Sequence, residues 1–230
     1  MTTEPLSPAP AERLPLRERK KIRTRQALID TALDLFTRRG FDGVTLDELC
    51  DAVEVSKRTF FRTFTSKEDV ALAPAQDLWA AFLDDLETRE PDGRPVMEML
   101  QDALLAALGT MTADGWPDRV RLGRRLAAET PSIRAHGLAF CDRTTGTALA
   151  TLHRRLAFAD PADLRPRLAL DLLVAAFHCA LDTWTASADA PSRAALAARL
   201  REAFAAVPGT LTLTAAPRAG SAGTSPSTSP

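Results

Sequence analysis

The signatures of catalysis are missing from this chain. It has no G-x-S-x-G, no H-E-x-x-H and no glycine-rich phosphate loop, so nucleophilic hydrolysis, zinc proteolysis and nucleotide chemistry lack their usual frames. The histidines, His136, His153 and His178, are single and scattered, and no paired Cys/His spacing offers a metal site. Cys141 lies five residues after His136, too far along a helix to share its face, and Cys179 adjoins His178, so those side chains diverge. Asp84, Asp85 and Glu87 read as one wet helix face rather than an acid/base pair. Disulfide frameworks are excluded too: Cys50, Cys141 and Cys179 are odd in number and widely spaced, which points to a reducing cytoplasm. No apolar run reaches the ~20 residues of a membrane span. The opening MTTEPLSPAPAERLP has no apolar signal-peptide segment. The expectation is a cytoplasmic protein with no catalytic site, cofactor, metal or membrane contact.

A dominant charge is also absent. Net charge is −1, and from Ala11 to Val70 there are 13 Lys/Arg against 11 Asp/Glu, a net of +2. Any affinity for a polyanion must come from where the cations sit.

What is present is a helix-turn-helix pattern in TLDELCDAVEVSKRTFFRTF, Thr45 to Phe64. Thr45 and Glu48 make a Thr-x-x-Glu capping box, and Leu46, Leu49 and Val53 then recur at helical spacing. The pattern breaks at Glu54, and Ser56 offers a second N-cap. Phe60 and Phe64, four apart, would pin the second helix to the core and leave Lys57, Arg58, Thr59 and Arg62 outside, which suits a DNA major groove. Upstream, an amphipathic helix is predicted over 17–39, with Ile22, Gln26, Ile29, Leu33 and Phe36 on one face. Gly40 is the expected left-handed C-cap and Phe41 the apolar residue beyond it. RERKKIRTR, Arg17 to Arg25, carries six cations and one anion suited to a phosphate backbone. Lys67 follows Ser66 at the next helix start, where an anion is favoured, and is expected to meet a phosphate.

These pieces resemble the N-terminal domain of TetR-family transcriptional regulators: a first helix closing on RRGF, a second opening with TLDEL, the VSKRTFF recognition segment and the FTSKED link. The likeness covers about fifty residues, in order and at the usual separations. In detail it is similar to actinobacterial members with RTFFR-type recognition helices, some of which sense fatty acyl-CoA. The resemblance implies an all-α protein: a three-helix DNA-binding domain, then a helical ligand-binding and dimerisation domain. It implies a homodimeric repressor on a pseudo-palindromic operator, released by a small hydrophobic molecule. DNA contacts would come from Thr45, Ser56, Lys57, Arg58, Thr59, Phe61, Arg62 and Lys67. Three departures stand out. Glu54 replaces the usual turn glycine, where a left-handed residue costs about 1 kcal/mol, so a remodelled turn is expected. Phe61 replaces a tyrosine and loses its phosphate-binding hydroxyl, and Thr63 stands where an aromatic is common. Cys50, at a small-residue position, reads as buried packing.

The rest reads as helices with clear stops: from Ser66 to about Thr88 with a bend at Pro74, Val96 to Thr110, Pro117 to Glu129, Pro131 to Ala157, Pro161 to about Thr185, and Pro191 to Ala206. Proline opens each of the last four. The domains expected are 16–65 for DNA binding and 66–206 for ligand binding and dimerisation, between disordered tails at 1–15 and 207–230. RPRLALDLLVAAFHCALDTW is apolar on more than one face and needs a second partner. With the resemblance, this nominates Ala175, Ala176, Cys179, Leu196, Leu200 and Phe204 for the dimer, burial within one protomer being the alternative. Trp79, Phe82, Trp116, Phe140 and Phe177 are candidates for a ligand pocket, though each also suits a plain core. The run Arg119 to Arg125 could face a ligand phosphate or form one solvated face. The rival reading is a ligand-independent, architectural DNA-binding protein.

Overall fold

The computed structural model describes residues 15–160 and 162–215. Of the tails expected at 1–15 and 207–230, residues 1–14 and 216–230 lie outside the described residues, as does the expected helix start at Pro161. Nine helices occur among the described residues: α1 (Leu16–Arg39), α2 (Leu46–Ala52), α3 (Lys57–Phe61), α4 (Lys67–Thr88), α5 (Val96–Thr110), α6 (Trp116–Glu129), α7 (Pro131–Arg155), α8 (Arg165–Ala186) and α9 (Arg193–Thr210).

Local chemistry sets their starts. Ser56, Ser66 and Ser192 each accept a backbone N–H three residues on, from Thr59, Asp69 and Ala195. Pro117 and Pro131 occupy the first turns of α6 and α7, as expected. The next two boundaries differ from expectation. Helix α8 begins at Arg165 with Pro166 in its first turn, and the Asp163 carboxylate accepts the Arg165 N–H at 2.9 Å. Helix α9 begins after Ser192, because a hydroxyl caps a helix better than the preceding Pro191 can. It also runs through Pro208 to Thr210, beyond the expected stop at Ala206.

Two cores form. The larger joins α4 to α9 around Leu78, Phe82, Leu104, Leu173, Leu196 and Leu200. The smaller holds Leu28, Ile29, Leu33 and Phe36 of α1, Leu49 of α2 and Phe60 of α3. It is closed by Val70, Ala71 and Ala73 of α4, Leu126 and Ala127 of α6 and Ile133 of α7, so it crosses the sequence boundary expected at 65/66. Helix α4 serves both cores and changes from one to the other at Pro74, whose missing N–H leaves the Val70 carbonyl without its helical donor. The Trp116 indole N–H donates to the Pro74 carbonyl at 3.0 Å and ties α6 to α4 there. A Cβ on Gly123 would lie 2.5 Å from the Ala71 carbonyl oxygen, so only glycine permits this α4–α6 crossing.

Ile22 is 54 % exposed, because the first turns of α1 project past the core that its periodicity anticipates. Gly40 has φ 76° but ψ 155°, an extended positive-φ state open to glycine rather than the expected left-handed helical cap. Helix α8 is long and apolar enough to cross a membrane by length and composition alone. It packs on α9, α7 and α5.

Candidate nucleic-acid interface and internal cavity

The capping box predicted at Thr45 is formed: the Glu48 N–H donates to Thr45 Oγ1 at 3.2 Å, and the Thr45 N–H donates to Glu48 Oε2 at 2.8 Å. Arg39 holds the same carboxylate at 2.7 Å. The Thr45 backbone bond, then Arg39, bring the Glu48 carboxyl down to about 2. Thr45 and Ser56 are exposed, but each hydroxyl is already engaged at a helix start. Glu54 adopts φ 56°, so the turn keeps the left-handed geometry expected to be remodelled. The Val55 N–H closes it on the Cys50 carbonyl at 3.0 Å. Cys50 is buried, and burial pushes its thiol up.

Helix α3 rests on Phe60, fully buried, with Phe64 behind it at 5.8 Å between ring centroids. Arg58, Phe61 and Arg62 point to solvent, and neither arginine makes a salt bridge among the described residues. Phe61 is 56 % exposed, a large apolar ring beside two free cations. Thr59 is half-buried with its hydroxyl 3.1 Å from Ser56 Oγ. Lys57 is exposed but paired to Asp47 of α2 at 2.7 Å, and that carboxylate holds the ammonium above its ordinary range.

Two expected phosphate contacts turn inward. Lys67 donates to the carbonyls of Phe41, at 3.1 Å, and Val44, with its ammonium 4.4 Å from the Phe41 ring centroid. It therefore secures the α1–α2 loop. Arg25 makes a two-pronged bond to Asp77 of α4, at 2.8 and 2.9 Å, and lies over the Phe64 ring. The remaining five cations of the basic run, Arg17, Arg19, Lys20, Lys21 and Arg23, are exposed.

Between α4, α6, α7 and α8 lies a cavity of about 610 Å³. Of the aromatic candidates, Trp79, Phe140 and Phe177 line it, with Trp79 and Phe177 edge to face at 5.0 Å. Phe82 and Trp116 do not. Phe82 is sealed in the larger core, and Trp116 spends its N–H on Pro74. The run Arg119 to Arg125 divides. Arg119 bonds Asp30 of α1 at 3.2 Å, while Arg124 and Arg125 line the cavity. Gln76 and Thr185 also line it, and the buried Thr185 hydroxyl has no hydrogen-bond partner among the described residues. Composition could have flagged them as polar residues on otherwise apolar helix faces.

The dimer candidates divide as well. Ala176, Leu196, Leu200 and Phe204 are buried within the protomer, where α8 packs on α9. Ala175 and Cys179 are exposed on the outer face of α8, in line with Leu164 and Leu168, which are 72 % and 55 % exposed.

Residues 28–73 match the family described as bacterial regulatory proteins, tetR family. The HTH-type transcriptional regulator TcmR of Streptomyces glaucescens is 34% identical over 178 residues, spanning 76% of this chain and 78% of that protein. MftR of Mycobacterium tuberculosis carries the name of a mycofactocin biosynthesis transcriptional regulator. It is 28% identical over 129 residues, 52% of this chain and 59% of its own. IcaR of Staphylococcus epidermidis, named as a negative transcriptional regulator of the biofilm operon icaADBC, is 27% identical over 74 residues, 32% of this chain and 40% of its own.

Proposed function

From a chain that belongs to the tetR family of bacterial regulatory proteins, and so is a DNA-binding transcriptional regulator, we propose a homodimeric repressor released from a pseudo-palindromic operator by a small, mainly apolar molecule. Residues 16–65 make the DNA contacts in this reading, and the helices from α4 onward bind the effector and pair the protomers. One observation carries it. Ala71, Ala127 and Ile133 line the cavity and also help to close the core beneath the helix-turn-helix. A molecule that fits one packing of these helices better than another shifts the position of α3 by that difference in affinity. A negative regulator among the relatives supports repression.

Arg58 and Arg62 with the exposed Phe61 form the reading surface, flanked by the basic start of α1. One five-residue helix discriminates poorly against a genome of competing sites. Two held about 34–36 Å apart read successive major grooves. The outer faces of α8 and α9 supply the link, through Leu164, Leu168, Ala175 and Cys179 with Ala194 and Ala198. The test is selection of genomic fragments by the full chain, followed by footprinting and light scattering of wild type and Leu168→Glu. A two-lobed footprint from a dimer, lost with the dimer in Leu168→Glu, is expected. A single-lobed footprint from a monomeric wild-type chain would sink the reading.

A further inference from the structure

The ionisable residues that line the cavity are Arg124, Arg125, Arg134, Cys141, His178 and Asp182. Burial, then the nearby Arg124, holds the His178 imidazole below its ordinary range, and burial raises the Cys141 thiol, so both are neutral near pH 7. Asp182 is engaged by Arg124 at 2.7 Å. Arg125, near the end of α6, and Arg134, in the first turns of α7, flank the corner between the two helices. Neither makes a salt bridge or side-chain hydrogen bond among the described residues. The cavity thus combines aromatic rings, a buried Thr185 hydroxyl with no partner among the described residues, and two solvent-exposed arginines that form no ion pair there.

We propose that this cavity takes an organic anion: a largely apolar, ring-bearing molecule with one carboxylate or similarly acidic group. Its rings lie against Trp79, Phe140 and Phe177, and its anionic end faces Arg125 and Arg134. The volume, about 610 Å³, is that of a site for a drug-sized molecule. Edge-to-face aromatics offer flat apolar walls. A cation would meet two exposed arginines that form no ion pair among the described residues and be disfavoured, the more so at low salt, while a neutral molecule gains the apolar contact alone. The Thr185 hydroxyl is free to bond a second oxygen on the ligand. This inference rests on the reading of the chain as an effector-responsive regulator, and deepens it by naming the chemistry of the effector.

The probes are three molecules with one body and different ends: 1-pyrenebutyrate, 1-pyrenebutanol and 1-pyrenebutylamine. Each is titrated calorimetrically into the full chain near neutral pH at low and high salt. Binding is also followed by quenching of tryptophan fluorescence. The carboxylate should bind about tenfold tighter than the alcohol at low salt, with the amine weakest, and the gap should narrow at high salt. In the double variant Arg125→Ala, Arg134→Ala the carboxylate should fall to within about threefold of the alcohol, whose own affinity stays put. Equal binding of acid and alcohol to the wild-type chain would overturn the anion class and leave the effector-responsive reading intact. An acid preference undiminished in the double variant would overturn the assignment to these arginines. In a gel-shift titration of the selected operator with and without the carboxylate, tight carboxylate binding with unchanged operator affinity would uphold the ligand class and overturn the regulatory reading. No binding by any probe would overturn both.

Discussion

Replacing Glu54 with glycine should stabilise the protein while leaving the surface of α3 as it is. Glu54 sits at φ 56° in the turn between α2 and α3. A residue with a Cβ costs about 1–2 kcal/mol there, because Cβ crowds the following carbonyl oxygen. Glycine removes that crowding but gives the unfolded chain more freedom, which returns about 0.5–1 kcal/mol. The net gain is about 0.5–1 kcal/mol, or a rise in Tm of roughly 1–4 °C for a chain of this size. Charge is the confounding factor, since Glu54 is an exposed anion in an acidic turn with Asp51. Glu54→Ala separates the two effects: it removes the same charge and keeps the Cβ, so its Tm should not rise. Glu54→Asn, better tolerated in the left-handed region, should fall between. Calorimetry on the DNA-free chain reads all three. A Tm for Glu54→Ala equal to that of Glu54→Gly would refute the backbone argument and assign the effect to charge.

Gly123→Ala drives a Cβ into the Ala71 carbonyl and should lower stability by about 1–3 kcal/mol in a denaturant melt, whereas Gly109→Ala, with open space around it, should not. Lys67→Ala should destabilise the chain by about 1–2 kcal/mol through its lost carbonyl bonds, and leave the salt dependence of DNA binding unchanged. A salt slope flatter by about one would instead restore Lys67 to the phosphate contacts. Arg58→Ala should cost ~1–3 kcal/mol on the selected operator and relax one base position. Equal losses on operator and random DNA would make it a positioning contact. Glu48 titrates at about 2 when folded against an ordinary 4.5, so its capping contribution is present above 4.5 and lost as pH falls toward 2. Glu48→Gln should flatten that part of an acid-unfolding curve, and an unchanged curve would show that other groups control it.

The DNA-binding end was legible because its signals are local. A Thr-x-x-Glu box, a serine cap and two phenylalanines four apart each act within one turn of chain, so the boundaries of α2 and α3 could be read directly. Long side chains were not legible in the same way. The sequence places Arg25 at the end of a basic run and Lys67 just after a serine cap, but a flexible stem can turn its charge inward wherever carbonyls or a carboxylate wait, and both did. Helices α8 and α9 failed for another reason. Alanine and leucine fill all their faces, and composition alone does not say whether Ala176 or its neighbour Ala175 points outward. The proline rule erred at Pro191, where an adjacent serine was the stronger cap.

The way the smaller core is closed limits how such proteins can be recombined. A chain cut after Thr65 would leave Val70, Ala71, Ala73, Leu126, Ala127 and Ile133 behind, and would expose Leu28, Leu33 and Phe36 to water. The helix-turn-helix is therefore no portable cassette. Grafted onto a relative's body, it would meet foreign residues at six plugs scattered over three helices, each a possible void or clash of a few kcal/mol. A workable chimera must carry those six positions along with residues 16–65, so its seam follows a surface in space rather than a single point in the chain.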